Sequence, residues 1–324
     1  MSILKKLFKK IRAKIRHLLI GHLTIDHLRL EMELENIKMA IGAHEARMIK
    51  NSTIKSIQDA EFKVFSQFGE DGIIQYLVNK IPITNKVFIE LGVGDYSESN
   101  TRFLLMNNNW QGRIVNSGTE HIEFIKNKKL GDFYYRYNIK AISSFIHKEN
   151  IQNIIEKLNL PKDIGLLSID LDGIDYWIWN EIKSISPRIV IIEYNSHFGS
   201  NFAITIPYEK NFDRTTAHHS NLYFGSSLFA LCLLAKKKGY QFVGSNSAGI
   251  NAFFVRDDIV GDLPKLSAKK GYVESMYRDS IDRSGNFTYI SDHKERLRII
   301  ANQKVVDVEH KEKIITISKL FELQ

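Results

Sequence analysis

Two stretches of this 324-residue chain bring chemically capable side chains close together. In the first, Val87–Thr101 (VFIELGVGDYSESNT), an apolar β-type run ends in Glu90 and breaks into Gly92-Val93-Gly94-Asp95. Glycines there let the backbone turn tightly and let a ligand lie on the main chain, while the next helix aims free N–H groups at the same place. The dinucleotide fingerprint G-x-G-x-x-G is not met, because Ser97 stands where its third glycine belongs. In the second stretch, Gly165–Trp179 (GLLSIDLDGIDYWIW), Leu166 and Leu167 lead into Asp170 and Asp172, which share one face of an extended chain, and Asp175 starts a helix. Acids this close must bind something positive, share protons or stay solvated. A further apolar run, Arg188–Glu193, ends in Glu193, with Asn195 and His197 just beyond it. Asp170, Asp172, Glu193 and Asn195 are all oxygen donors and could hold Mg²⁺ to acidify a bound hydroxyl. Asp172 and Glu193 are therefore candidate catalytic residues, and His197 is the alternative, metal-free general base.

Strands and helices that alternate along the chain must carry these loops. Ile73, Ile74, Leu77 and Ile81 mark a helix ahead of the first loop, opened by Phe65–Gly72 with Gln67 and Asp71. Glu98–Met106 reads as a crossover helix, Gly112–Ser117 as a second strand ending near Asn116, and Asp132–Ala141 as a third. Asn195–Ser226 is long, aromatic and without periodicity, so it is expected to form the substrate wall, with Tyr208, Arg214 and His218 among its polar candidates. Ser227–Lys238 is helical, and Tyr240–Val243 with Ala252–Val255 reads as an antiparallel hairpin.

Composition narrows the classes. Cys232 is the single cysteine and sits in an apolar run, which excludes an internal disulfide framework and suits a reducing compartment. The formal charge of +8 invites nucleic acid, but residues 1–20 hold seven Lys and Arg and no acid, leaving the remainder near neutral. Ile3, Leu4, Leu7, Phe8, Ile11, Ile15, Leu18 and Leu19 make that segment a basic amphipathic helix, suited to an anionic membrane surface or to a protein partner. Within residues 23–48, Leu30, Leu34, Ile37 and Ile41 form a short heptad seam, expected to build a coiled coil or helical hairpin and able to join two protomers. No apolar run is long enough to span a bilayer, so a cytoplasmic protein, peripheral on the inner membrane, is expected.

An acid at the end of the first strand, two residues ahead of the glycine turn, resembles motif I of the class I S-adenosylmethionine-dependent methyltransferases. D-L-D-G-I-D at 170–175, followed by a strand ending in Glu193, is similar to the D-x-E-G-x-E segment and next strand of the FkbM-like members, which O-methylate sugar and polyketide hydroxyls. The resemblance covers roughly residues 65–256 and implies a Rossmann-like α/β fold: a mostly parallel sheet finished by the antiparallel hairpin, here with an N-terminal helical extension. It implies S-adenosylmethionine held by Glu90, Gly92, Gly94, Asp95 and Asp170, capped by Gln67, with Asn138 beside the adenine. Asn116 stands where the family carries the acid that takes both ribose hydroxyls, and Glu120 could substitute for it. The expected divisions are 1–50 (helical), 51–256 (methyltransferase-like) and 257–324 (appendage, with no chemistry assigned). The expected activity is sugar O-methylation in bacterial surface-glycan synthesis, on a glycan, nucleotide-sugar or lipid-linked sugar. Asp170-Leu171-Asp172 is also the D-x-D of metal-dependent glycosyltransferases, and Asn116 also fits a non-catalytic scaffold that has lost cofactor binding.

Overall fold

The computed structural model describes residues 2–126, 133–278 and 280–323, the side chains of 2–25, 28, 133 and 134 excepted. The chain divides into two units, 1–45 and 46–324, so residues 257–324 share a unit with the sheet. Residues Ser2–Asn51 form one continuous helix, with no hairpin. Its expected basic amphipathic face, residues 3–20, lies outside the described side chains. Among the described residues no helix is long and apolar enough to cross a membrane.

Ten strands are described: β1 (Val87–Leu91), β2 (Gln111–Asn116), β3 (Ile139–Ser143), β4 (Leu166–Ile169), β5 (Ile189–Glu193), β6 (Ile204–Thr205), β7 (Tyr240–Ser245), β8 (Asn251–Arg256), β9 (Lys304–Asp307) and β10 (Lys313–Thr316). Seven form one sheet in the order β3-β2-β1-β4-β5-β8-β7. The first five are parallel and β8 runs antiparallel to both its neighbours. This is the expected Rossmann-like methyltransferase sheet with its antiparallel C-terminal hairpin. β1, β4 and β5 are almost wholly apolar because helices cover both faces. Alternation then sorts their side chains. Ile89, Leu167 and Val190 join the core beneath helices Ile151–Lys157, Asp175–Glu181 and Leu228–Lys238. Phe88, Leu166 and Ile189 join the opposite core with helix Glu70–Lys80. The chain lays β2 and β3 on one side of β1 and returns with β4 on the other, which opens a crevice at the carboxyl ends of β1 and β4.

Two boundaries differ from expectation. The aromatic run Phe133–Arg136 is a helical turn, and β3 begins only at Ile139, in register with Gly112. The crossover helix is Arg102–Asn108, because residues 95–101 are drawn into a turn around Glu90. Residues 257–324 are more than an appendage: β9 pairs with both β10 and β6, and a third apolar cluster of Phe198, Ile206, Leu222, Leu297 and Val305 binds the long loop to this segment.

At the amino end of the sheet, remote from the crevice, Asp163 ties three strands together. Arg188, preceding β5, donates Nη2 to it at 2.5 Å, and Arg256, ending β8, donates Nη1 at 2.9 Å. Hydrogen bonds from Arg188 lead the causes that hold the Asp163 carboxyl down at about 2. Asp163→Asn should lower stability at pH 7 by about 1–2 kcal/mol in urea unfolding, a figure discounted for partial exposure. A depressed carboxylate stabilises above its unfolded pKa of about 4 and loses that contribution as the pH falls toward 2, so wild type and variant should converge there.

Candidate active site

The crevice is shaped by a backbone contact. Gly92 has φ +80°, and a Cβ there would lie 1.7 Å from the carbonyl oxygen of Asp170, so the β1 loop can leave only along the end of β4. Gly94, at φ +50°, faces open space. The Val93 N–H donates to Asn116 Oδ1 at 3.3 Å, which brings the end of β2 to the loop. A cavity of about 520 Å³ lies between Gly92–Asp95, Asn116–Gly118 and Glu120, with Asp170 and Asp172 on its far wall. A further 150 Å³ extends past Asn116 to Phe145, Ile146, Leu171 and Ile174, a slot at the carboxyl end of β3 that Ser144, Asp170 and Asp172 also line.

The acids divide by role. Asp175 turns inward and accepts from the N–H groups of Leu171 (2.7 Å) and Gly173 (3.0 Å), fixing the turn that presents its neighbours; burial raises its pKa to about 6. Asp172, at φ +53°, points outward. Glu193 joins Asp170 and Asp172 in place of Asp175, and one oxygen of each lies within 4.8 Å of the others. Burial, then the charges of their acidic neighbours, push Asp170 and Glu193 well above the usual carboxylate range, while Arg214 opposes the shift. Glu193 Oε2 is buried without a hydrogen-bond partner. Arg214 holds Asp172 through Nη1 at 3.3 Å and is itself fixed by stacking on Phe224 and by donating Nε to the Asn221 carbonyl.

A second cavity, about 300 Å³, opens beyond these acids and shares Asp170 and Asp172 with the first. Gln67, Glu193, His197 and Arg214 line it, with Ser275 and Tyr277 from the C-terminal segment. Gln67 stands on a loop built around Asp71, which accepts the N–H groups of Val64, Phe65 and Ser66, each at 2.8 Å. His197 is buried, and Arg296 Nη1 lies 3.4 Å from its Nδ1. An arginine has only N–H groups to offer, so Nδ1 accepts and Nε2 carries the ring proton. Burial, with Arg296, His293 and Arg214 nearby, keeps the imidazole neutral, its pKa well below the usual value. A ring so disposed donates a hydrogen bond and is a poor proton acceptor, contrary to the base role expected for it.

Several sequence candidates lie elsewhere. Glu90 is buried outside both cavity walls, and its carboxylate accepts from Ser99 Oγ, the Asn100 N–H and Thr101 Oγ1, closing the loop behind the glycines rather than meeting a ligand. Asn138 precedes β3 at the amino end of the sheet, against Arg113, because that strand starts later than its aromatic residues suggest. Asn195 donates to the carbonyls of Leu222 and Phe224 and accepts from the His197 N–H, so its amide clamps the loop and is not aimed at a cation. Tyr208 is bonded to Glu149 and Lys148, and His218 to Ser220, both outside the cavity walls. Phe145, Ser275, Tyr277 and Arg296 escaped the sequence reading, since each meets the crevice only through tertiary packing.

No protein-family model matches the chain, and no curated protein matches it. Among solved structures, it is similar to a SAM dependent methyltransferase from Aquifex aeolicus, at 11% identity over 64% of this chain and 96% of that one, TM-score 0.33. An O-methyltransferase from Bacillus cereus in complex with SAH aligns at 14% identity over 52% and 72%, TM-score 0.33. PKMT2 from Rickettsia typhi in complex with AdoHcy aligns at 11% over 55% of this chain and 51% of its own length, TM-score 0.36.

The two glycines should respond differently to a methyl group. Gly92→Ala must move the Asp170 backbone as well as strain φ, and should cost roughly 3 kcal/mol in denaturant unfolding. Gly94→Ala meets no atom within 4 Å and should cost about 1 kcal/mol, from its positive φ alone.

Proposed function

We propose that the chain is an S-adenosylmethionine-dependent O-methyltransferase of the FkbM-like kind, acting on a sugar hydroxyl in bacterial surface-glycan synthesis. The observation that carries this reading is the meeting of two cavities at Asp170 and Asp172, one under a glycine loop and the other walled by acids. Methyl transfer needs a cofactor and an acceptor held on either side of one point, in line and excluded from bulk water.

The first cavity fits the cofactor on three counts. Gly92 forms a cradle that a Cβ would fill, the slot of Phe145, Ile146 and Leu171 suits a flat adenine ring, and Asn116 with Glu120 offers acceptors at the level of a ribose. When bound, S-adenosylmethionine supplies a methyl group carried on a cationic sulfur. The chain's own part is to hold the acceptor hydroxyl and take its proton. Glu193 is best suited to that: it lines the second cavity, and its Oε2 is buried with no donor competing for an incoming hydroxyl. His197 and Arg214 donate hydrogen bonds to acceptor oxygens, which suits a polyhydroxylated ligand. Asp170, Asp172 and Glu193 would also hold Mg²⁺, an oxygen-seeking ion that lowers the pKa of a coordinated hydroxyl. Residues 1–20, rich in Lys and Arg, would bring the enzyme to the anionic inner face of a membrane, where lipid-linked sugars are presented.

Calorimetric titration with S-adenosylhomocysteine, with Mg²⁺ and then with chelator, tests the reading. One-to-one binding is expected, weakened roughly five- to tenfold by Asn116→Ala. Glu193→Gln, outside the cofactor cavity, should leave that affinity within threefold and lower methyl transfer to sugar acceptors about 100-fold. Absence of binding by the folded protein would overturn the proposal, and UDP-sugars with Mn²⁺ would then be titrated as the D-x-D alternative.

A further inference from the structure

On the long helix, an apolar stripe faces solvent between His27 and His44. Leu30, Leu34, Ile37 and Ile41 succeed one another at steps of four, three and four, and each is half exposed or more: 59%, 50%, 54% and 58%. Alternating steps of three and four keep a seam on one side of a helix, the pattern of a coiled coil. Taking Leu34 and Ile41 as a positions and Leu30 and Ile37 as d positions puts His27 at a and His44 at d. Glu31, Lys38 and Glu45 then occupy e, and Asp26, Glu33 and Ala40 occupy g. The seam from His27 to His44 is ~26 Å long at the helical rise.

We propose that this seam pairs with the same seam of a second copy of the chain, running antiparallel. Flanking charge decides the direction. In a parallel pair each g position faces the next e position of the partner, so attraction between Glu33 and the partner's Lys38 is cancelled by repulsion between Asp26 and the partner's Glu31. In an antiparallel pair e faces e and g faces g. Glu31 then meets the partner's Lys38 and Lys38 meets the partner's Glu31, while Glu33 meets the partner's Ala40, with no like charges opposed among these positions. The same register stacks each layer evenly: Leu34 on the partner's Ile37, Leu30 on the partner's Ile41, and His27 on the partner's His44. Every leucine lies against an isoleucine of equal volume, and the two polar positions share a layer instead of spoiling an apolar one. This inference is independent of the methyltransferase reading, since the seam carries none of the residues that line the cavities.

Sedimentation velocity of the full chain from 1 to 100 μM should show a concentration-dependent dimer. Glu31→Lys and Lys38→Glu, both at exposed positions, should each weaken it roughly tenfold or more, and the double exchange Glu31→Lys/Lys38→Glu should restore it to within threefold. Circular dichroism of the variants should be unchanged. Under mild oxidation, L34C mixed with I37C should form a cross-disulfide between copies, and L34C alone should form none. A monomer at 100 μM, a higher oligomer, a Glu31→Lys variant that dimerises more tightly, or a disulfide of L34C with itself would each overturn the proposal; the last two are the signature of a parallel pair.

Discussion

The carbonyl oxygen of Asp170 occupies the space that any side chain at position 92 would need. That single steric fact organises the crevice. It presses the loop leaving β1 against the turn leaving β4, so the peptide groups of one and the acids of the other face a common volume. The hydrogen bonds of the strands extend through this contact: the Gly92 N–H reaches the Val115 carbonyl and the Asp170 N–H reaches the Leu91 carbonyl. The crevice is thus the direct continuation of the sheet, and its walls inherit the sheet's rigidity.

Around this contact the acids follow a division of labour set by what surrounds each one. Glu90 and Asp175 are buried and consumed by donors within ten or so residues of sequence, so their charges shape loops. Asp170 and Glu193 are held near one another with too few donors, and this excess of acceptors leaves the site electrostatically unfinished. Arg214 balances part of it through its contact with Asp172.

The sequence was most legible where burial is two-sided. The runs at β1, β4 and β5 read as buried parallel strands, and the pairing of β7 with β8 followed from two apolar runs around a Ser/Asn/Gly turn. Types of residue were also legible: an acid at 90, paired acids at 170 and 172, an acid at 193. Their partners were not. Whether Asp175 or Glu193 completes the cluster depends on which way a three-residue turn rotates, and Glu90 meets Ser99 and Thr101 only because the intervening loop doubles back. Aromatic residues at 133–135 suggest a strand yet form a helical turn, because β2 takes its neighbour from Ile139 onward. Arg296 and Tyr277 are 99 and 80 residues beyond the side chains they approach or stand beside, His197 and the nearby loop, and no local pattern encodes that separation.

The small sheet that joins β6 to β9 has a consequence in time as well as in space. A ribosome makes a chain from its amino end onward, and β1 to β8, with the glycine crevice between them, are all present once residue 256 has emerged. The lining supplied by Ser275 and Tyr277, the arginine that fixes the ring proton of His197, and the strand that pins residues 204 and 205 come later. A nascent chain could therefore form the cavity under its glycine loop while the second cavity was still open, and the completed wall of that second cavity would arrive as a last, separate event of synthesis.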